Sequence, residues 1–94
     1  MQVRWLRKAL ANLDAEANYI ARDNPAAAGQ VVAAIIEAVT RLQKYPALGR
    51  PGRVIGTREL VIPGTPYVVP YRVRRNSLEV LRVFHSARKW PTRF

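Results

Sequence analysis

Apolar and polar residues alternate from the first positions of the chain. Val3 and Trp5 stand against Gln2 and Arg4, a period of two that predicts a short strand over Gln2–Leu6. The period then lengthens. Leu10, Leu13, Ala17 and Ile20 recur at spacings of three and four, which predicts an amphipathic helix with Lys8, Asp14, Glu16 and Arg22 facing water. Ala9, Ala11, Ala15 and Ala17 add helix propensity. Asp23-Asn24-Pro25 breaks this helix and starts another, because Asn24 can cap and Pro25 suits a first helical position. The second helix carries Ala28, Val31, Val32, Ile35, Val39 and Leu42 on one stripe and is predicted to run to Lys44. So short a connection makes the two helices antiparallel neighbours. Ala26, Ala27, Ala28, Gly29, Ala33 and Ala34 allow them to approach closely.

Tyr45–Gly52 holds two prolines and two glycines and reads as a loop. Beyond it the period returns to two. Val54–Gly56 is a candidate short strand, and Arg58–Ile62 a better one. Pro63-Gly64-Thr65-Pro66 is turn chemistry, with Gly64 able to take positive φ. In Tyr67–Arg74, the set Tyr67, Val69, Tyr71 and Val73 is expected to face the helices, with Val68, Pro70, Arg72 and Arg74 on the other side. Pro70 implies a missing ladder partner or a bulge at that point. Asn76-Ser77 marks a tight hairpin, with Asn tolerant of left-handed geometry. Leu78–Phe84 reads as a last, central strand, and Ala87–Phe94 as a basic tail. The order predicts an α+β fold: a short strand and an α-helical hairpin packed on a small antiparallel sheet whose other face is open and rich in arginine.

Ninety-four residues are expected to form one domain, 1–94. With no cysteine and one histidine, the chain offers no disulfide framework and no thiolate or histidine metal cluster. No apolar run is read as approaching the roughly 20 residues of a membrane span, and the N-terminus lacks the apolar core of a signal peptide. The expectation is a cytoplasmic protein with no membrane partner and no cofactor. Charge changes the picture most. Sixteen Lys+Arg oppose six Asp+Glu, a net +10, and thirteen of the sixteen are Arg. Residues 1–47 hold six basic and four acidic side chains, a net +2; residues 48–94 hold ten and two, a net +8. Such asymmetry points to an anionic partner: nucleic acid, a nucleic-acid enzyme or an acidic protein.

Common catalytic signatures are absent. Neither standard nucleotide-binding glycine loop occurs, and Glu59 and Glu79 are the sole acids after residue 37, too few for paired-carboxylate or triad chemistry. What remains is Arg82, His85, Arg88, Lys89 and Trp90 near the C-terminus, with His85 three residues from each flanking arginine. A histidine can move protons in RNA cleavage, and arginines can stabilise a phosphorane. The plainer reading has His85 ending a strand on a backbone hydrogen bond and Trp90 docking the tail. The first strand and helix, through Val3, Trp5, Leu10, Leu13 and Ala17, could form an apolar groove for a partner helix or could simply be core.

Four ordered stretches carry a resemblance: Tyr19–Ala27; Leu42–Arg50; Thr57–Ile62 followed by Tyr67–Val73; and Val80–Pro91. Together they resemble the RelE/ParE toxins of bacterial type II toxin–antitoxin modules over nearly the full length. The resemblance implies the RelE/ParE toxin fold and one of two targets. RelE-like members cut messenger RNA in the ribosome, and ParE-like members inhibit DNA gyrase. RelE-like nucleases usually carry an arginine at the position that aligns with Val68, so the ParE-like reading is favoured and ribosome-dependent RNA cleavage is the alternative. The first would make the chain a non-enzymatic poison, the second an endoribonuclease using Arg82, His85 and Arg88. The expected target-facing residues are Arg58, Arg72, Arg82, His85, Arg88 and Lys89. The resemblance also implies a hetero-oligomer with a ParD-like antitoxin whose acidic tail folds over the toxin, at Val3, Trp5, Leu10, Leu13 and Ala17.

Overall fold

The computed structural model describes residues 1–94. The chain forms β1 (Gln2–Trp5), α1 (Arg7–Ala21), α2 (Pro25–Thr40), a single 3₁₀ turn (Arg41–Gln43), β2 (Arg50–Pro51), β3 (Arg58–Val61), β4 (Tyr67–Arg74), β5 (Ser77–Val80) and β6 (Phe84–His85). The sheet order is β1-β5-β4-β3-β2, with β6 also paired to β4. The expected α+β architecture, a helical hairpin on a sheet, is what forms. The sheet is mixed, not purely antiparallel, because β1 joins β5 in parallel, Val3 beside Leu78 and Trp5 beside Val80.

The junction between the helices follows its chemistry. Asn24 Oδ1 accepts the Ala27 N–H at 3.1 Å, and Pro25 takes the first helical position. The phase of α1 departs from the expected stripe. Ala9 is fully buried, Leu13 and Ile20 pack on the core, and Leu10 is 51% exposed. The inward row is therefore Ala9, Leu13, Glu16 and Ile20, which has the same helical spacing but places a carboxylate where water was expected. Small Ala9 fits the packed core, and the larger Leu10 turns outward.

By length and composition, Pro25–Gln43 is a 19-residue stretch apolar enough to cross a membrane, contrary to the sequence reading. Its Ala28, Ile35, Ala38, Val39 and Leu42 are buried, and Ile35, Ala38, Val39 and Leu42 belong to the core cluster with Leu60, Val69 and Tyr71. It is the core helix of this fold.

Tyr67, Val69 and Tyr71 face the helices as expected, but Val73 is exposed because β4 outruns them. Gly64 has φ 75°, as the turn requires. At the next hairpin Arg74 pairs with Ser77, leaving Arg75-Asn76 as the turn, and Arg75 takes the left-handed conformation (φ 58°) in place of Asn76. The extra strand forms at Arg50–Pro51, where it pairs with Arg58 and Glu59, and not at Val54–Gly56.

The expected strand Leu78–Phe84 is interrupted. Tyr71 faces Val80 and Val68 faces Phe84, so Val69-Pro70 on β4 is matched by Leu81-Arg82-Val83 opposite. One residue too many on one side is a β-bulge, and it sits at Pro70. Leu81 N–H donates to the Pro70 carbonyl at 2.9 Å. The nitrogen of an antiparallel residue points the same way as its carbonyl, so the missing proline donor faces the bulge.

Tyr71 joins the sheet to the helical half. Its ring is fully buried, its hydroxyl donates to the Pro46 carbonyl at 2.7 Å, and it accepts the Gly49 N–H at 2.8 Å. A Cβ on Gly49 would lie 2.6 Å from the Tyr71 ring. Arg58 closes the junction by donating to the Gly49 carbonyl at 2.8 Å. Tyr71→Phe strands the buried Gly49 N–H and should lower unfolding free energy by about 1–3 kcal/mol in urea denaturation.

Candidate functional site

The bulge decides which way the last strand points its side chains. Leu78 and Val80 face the core, and beyond the bulge Val83 does so. His85 therefore lies on the helix side, directly opposite Tyr67, with the two rings edge to face at 5.6 Å. An uninterrupted strand would have sent His85 to the far side. α1 holds the bulge in place. Asn12 Oδ1 accepts both the Val83 N–H at 3.2 Å and the Arg82 Nε–H at 2.8 Å. The backbone donor released from the ladder thus finds a side-chain partner.

Beside it lies a half-buried polar knot. The Tyr67 hydroxyl donates to Glu16 Oε1 at 2.9 Å, and Arg88 Nη1 donates to Glu16 Oε2 at 2.6 Å. Burial pushes the Tyr67 hydroxyl up to about 12, helped by its bond to the Glu16 carboxylate. Tyr67 thus stays a protonated donor at neutral pH. His85 Nδ1 accepts the Ala87 N–H at 3.2 Å, which leaves the ring proton on Nε2 in the neutral form.

The far face of the sheet is not left open as expected. The tail folds across it. Trp90 is buried, donates from Nε1 to the His85 carbonyl at 3.3 Å, and packs on Phe84 with ring centroids 4.9 Å apart. Phe84 also meets Phe94 at 6.0 Å, and the Arg53 guanidinium stacks 3.7 Å over Trp90. Val68, Pro70 and Leu81 are buried on the sheet.

Two buried carboxylates organise the arginines. Arg50 Nη2 lies 3.1 Å from Glu59 Oε1, while Arg53 binds Oε2 through its N–H at 2.8 Å and its Nε at 3.2 Å. Burial alone would raise the Glu59 carboxyl, but these donors overcome it and hold it below the ordinary carboxylate value. Glu79 is likewise held low, chiefly by the 2.7 Å bond from Arg72 Nε, with Arg74 and Arg4 adding positive charge nearby.

Apart from Lys89, the expected target-facing residues each have partners within the chain, and Arg72 and Arg82 share one cleft. Arg58 anchors the Gly49 loop, Arg72 neutralises Glu79, and Arg82 binds Asn12 and stacks 4.7 Å over Phe84. His85 and Arg88 lie together beside Tyr67 and Glu16, and Lys89 is exposed nearby in the chain. Among the apolar positions expected to meet a partner, Val3, Trp5 and Leu13 pack on the core, Ala17 is half-buried, and Leu10 is open. The first turn of α1 lines a cleft of about 310 Å³ in which Leu6, Leu81 and Phe94 sit among Arg7, Lys8, Arg72 and Arg82. Asn12, Glu16 and the Tyr67 hydroxyl escaped the sequence reading. The available signal was the alternative row Ala9-Leu13-Glu16-Ile20. No three His, Cys, Asp or Glu side chains cluster as metal ligands.

This arrangement meets known proteins along nearly its whole length. The sequence profile described as ParE toxin of type II toxin-antitoxin system, parDE, matches residues 3–90. The chain belongs to the ParE toxin family. It is 49% identical over 90 residues to the candidate toxin Y4kP of Sinorhizobium fredii, covering 96% of this chain and 93% of that protein. It is 34% identical over 87 residues to Toxin RelE2 of Caulobacter vibrioides, covering 93% and 97%. A solved structure of the chromosomal ParDE toxin–antitoxin system from P. aeruginosa superposes with a TM-score of 0.82 at 35% identity, over 90% of this chain and 95% of that one. Val68, the position that the resemblance aligns with an arginine of RelE-like nucleases, is buried on β4.

Glu59 and Glu79 of this ParE-family toxin set its acid response. Their folded-state values lie below the ordinary 4.5, so the stability they contribute is fully present above that pH. It drains away as pH falls through the folded-state values. Urea midpoints between about pH 3 and 7 should fall on acidification, and Glu59→Gln should flatten that slope while lowering the plateau.

Proposed function

We propose that residues 1–94 act as one cytoplasmic toxin domain that inhibits DNA gyrase and is neutralised by a cognate antitoxin. The observation that carries the gyrase reading is the ParE family match over residues 3–90, together with Val68 buried at the position where the resemblance places an arginine in RelE-like nucleases. Arg82 Nε, Arg88 and His85 Nδ1 each also hold one partner within the chain, at Asn12, Glu16 and the Ala87 N–H. A protein that stalls another enzyme needs a shaped surface, to which the docked tail and the bound arginines contribute.

The antitoxin reading rests on chemistry around α1. Leu10 is exposed one turn beyond Leu6, and the adjoining cleft sets apolar groups among four cations. An acidic tail with apolar anchors fits such a surface, and the net +10 would speed its capture.

In a plasmid assay, the purified chain should inhibit gyrase supercoiling, and added antitoxin should restore it. His85→Ala should still poison growing cells. Unaltered supercoiling at any excess of toxin, with messenger RNA cut within codons after induction, would instead establish the ribosome-dependent endoribonuclease.

A further inference from the structure

One corner of the sheet holds cations that the fold does not use up. β1, β5 and β4 lie side by side there, and their register puts Arg4, Glu79 and Arg72 in one row across the three strands. The next row on the same face is Gln2, Ser77 and Arg74. Arg75 stands on the turn that closes the hairpin. A cleft of about 570 Å³ opens here, lined by Arg4, Arg74, Arg75, Ser77 and Glu79 with no apolar residue among them. Glu79 is already held by Arg72 at 2.7 Å, and Arg4 reaches it only at 4.0 Å. Four arginines facing one glutamate leave a net +3 at this corner.

The turn supplies a second, independent observation. Arg75 sits at φ 58°, the first central position of a two-residue turn, where glycine adopts the same backbone without a Cβ clash. The chain thus carries a long cation at a place where its backbone would fold with less strain without one. Strain of this kind gathers at sites of contact with ligands.

We propose that this corner grips the phosphodiester backbone of duplex DNA. Guanidinium groups on neighbouring strands can fork onto successive phosphate oxygens. The absence of apolar lining tells against a disordered acidic peptide, which needs apolar anchors to offset its ordering. The absence of aromatic rings tells against single strands, whose bases are held by stacking. What the corner can recognise is charge at regular spacing, independent of base sequence. The proposal goes beyond the gyrase reading, since it concerns DNA without gyrase, and either can fail alone.

The test is fluorescence anisotropy of the full chain, freed of antitoxin, on a labelled duplex of about 20 base pairs over a range of salt. Arg75→Gly should raise the urea midpoint yet weaken DNA binding about three- to tenfold, and make the log–log salt slope shallower by about 1. Arg4→Ala should weaken binding in the same direction, while Arg22→Gln, on the opposite helical half, should bind as the parent does. Circular dichroism of each variant separates lost binding from lost fold. Parent-like binding by both Arg75→Gly and Arg4→Ala, or equal weakening by Arg22→Gln, would overturn the proposal. So would a corner-dependent preference for single-stranded RNA or for polyglutamate over the duplex.

Discussion

The main chain at Pro70 has a carbonyl and no N–H, and β4 is the strand from which the rest of the sheet hangs. β3 pairs along one edge of it, and β5 and β6 share the other. A ladder cannot run unbroken past a residue that lacks a donor, and an extra residue on the facing chain relieves the mismatch. From that single substitution of geometry much else follows. The bulge hands the Val83 N–H to Asn12, which ties α1 to the sheet. It rotates His85 toward Tyr67 and turns Phe84 outward, where Trp90 and Phe94 cover it. The C-terminal tail has a landing place because the ladder was broken upstream.

The arginines are less surplus than their number suggests. Burying a carboxylate is costly unless charged donors surround it, and here Glu59 and Glu79 each draw more than one guanidinium. Glu16 takes Arg88 and the Tyr67 hydroxyl in the same way. These knots explain why an Arg-rich sheet face can pack a tail against itself without self-repulsion. They also separate two kinds of arginine in this ParE-family toxin: those that complete a buried carboxylate, as Arg50, Arg53 and Arg72 do, and those at the β1–β5–β4 corner, Arg74 and Arg75, that form no salt bridge within the chain.

Much of this was legible in the residues wherever local chemistry allowed one solution. Asn24-Pro25 can restart a helix in few ways, Gly64 was needed for its turn, and Pro70 announced a defect in its strand. Legibility failed where a choice depended on what packs from elsewhere. Leu10 and Ala9 offer α1 two adjacent stripes of the same period, and packing in the core takes the one with the smaller residue. Glu16 then turns inward to a half-buried position, although nothing in its immediate sequence marks it so. Arg75 failed for the opposite reason. Asn76 is the better left-handed residue, but the Arg74–Ser77 pairing puts the positive φ one position earlier. As for the candidate site, residue types were readable and their partners were not. The expected target-facing arginines bond Asn12, Glu16, Glu79 and Gly49, because long arginine side chains reach partners many residues away.

The two residues of β2 bear on how the chain behaves among its own copies. They pair with Arg58 and Glu59 and stop, so the outer edge of β3 at Leu60 and Val61 has no strand beside it. Bare edges of this kind seed sheet-to-sheet aggregation. Pro51 has no N–H to extend a ladder, and Arg41 and Arg50 flank the gap. A two-residue strand thus closes this edge with a proline in place of a donor, which limits how far a second chain could extend the sheet.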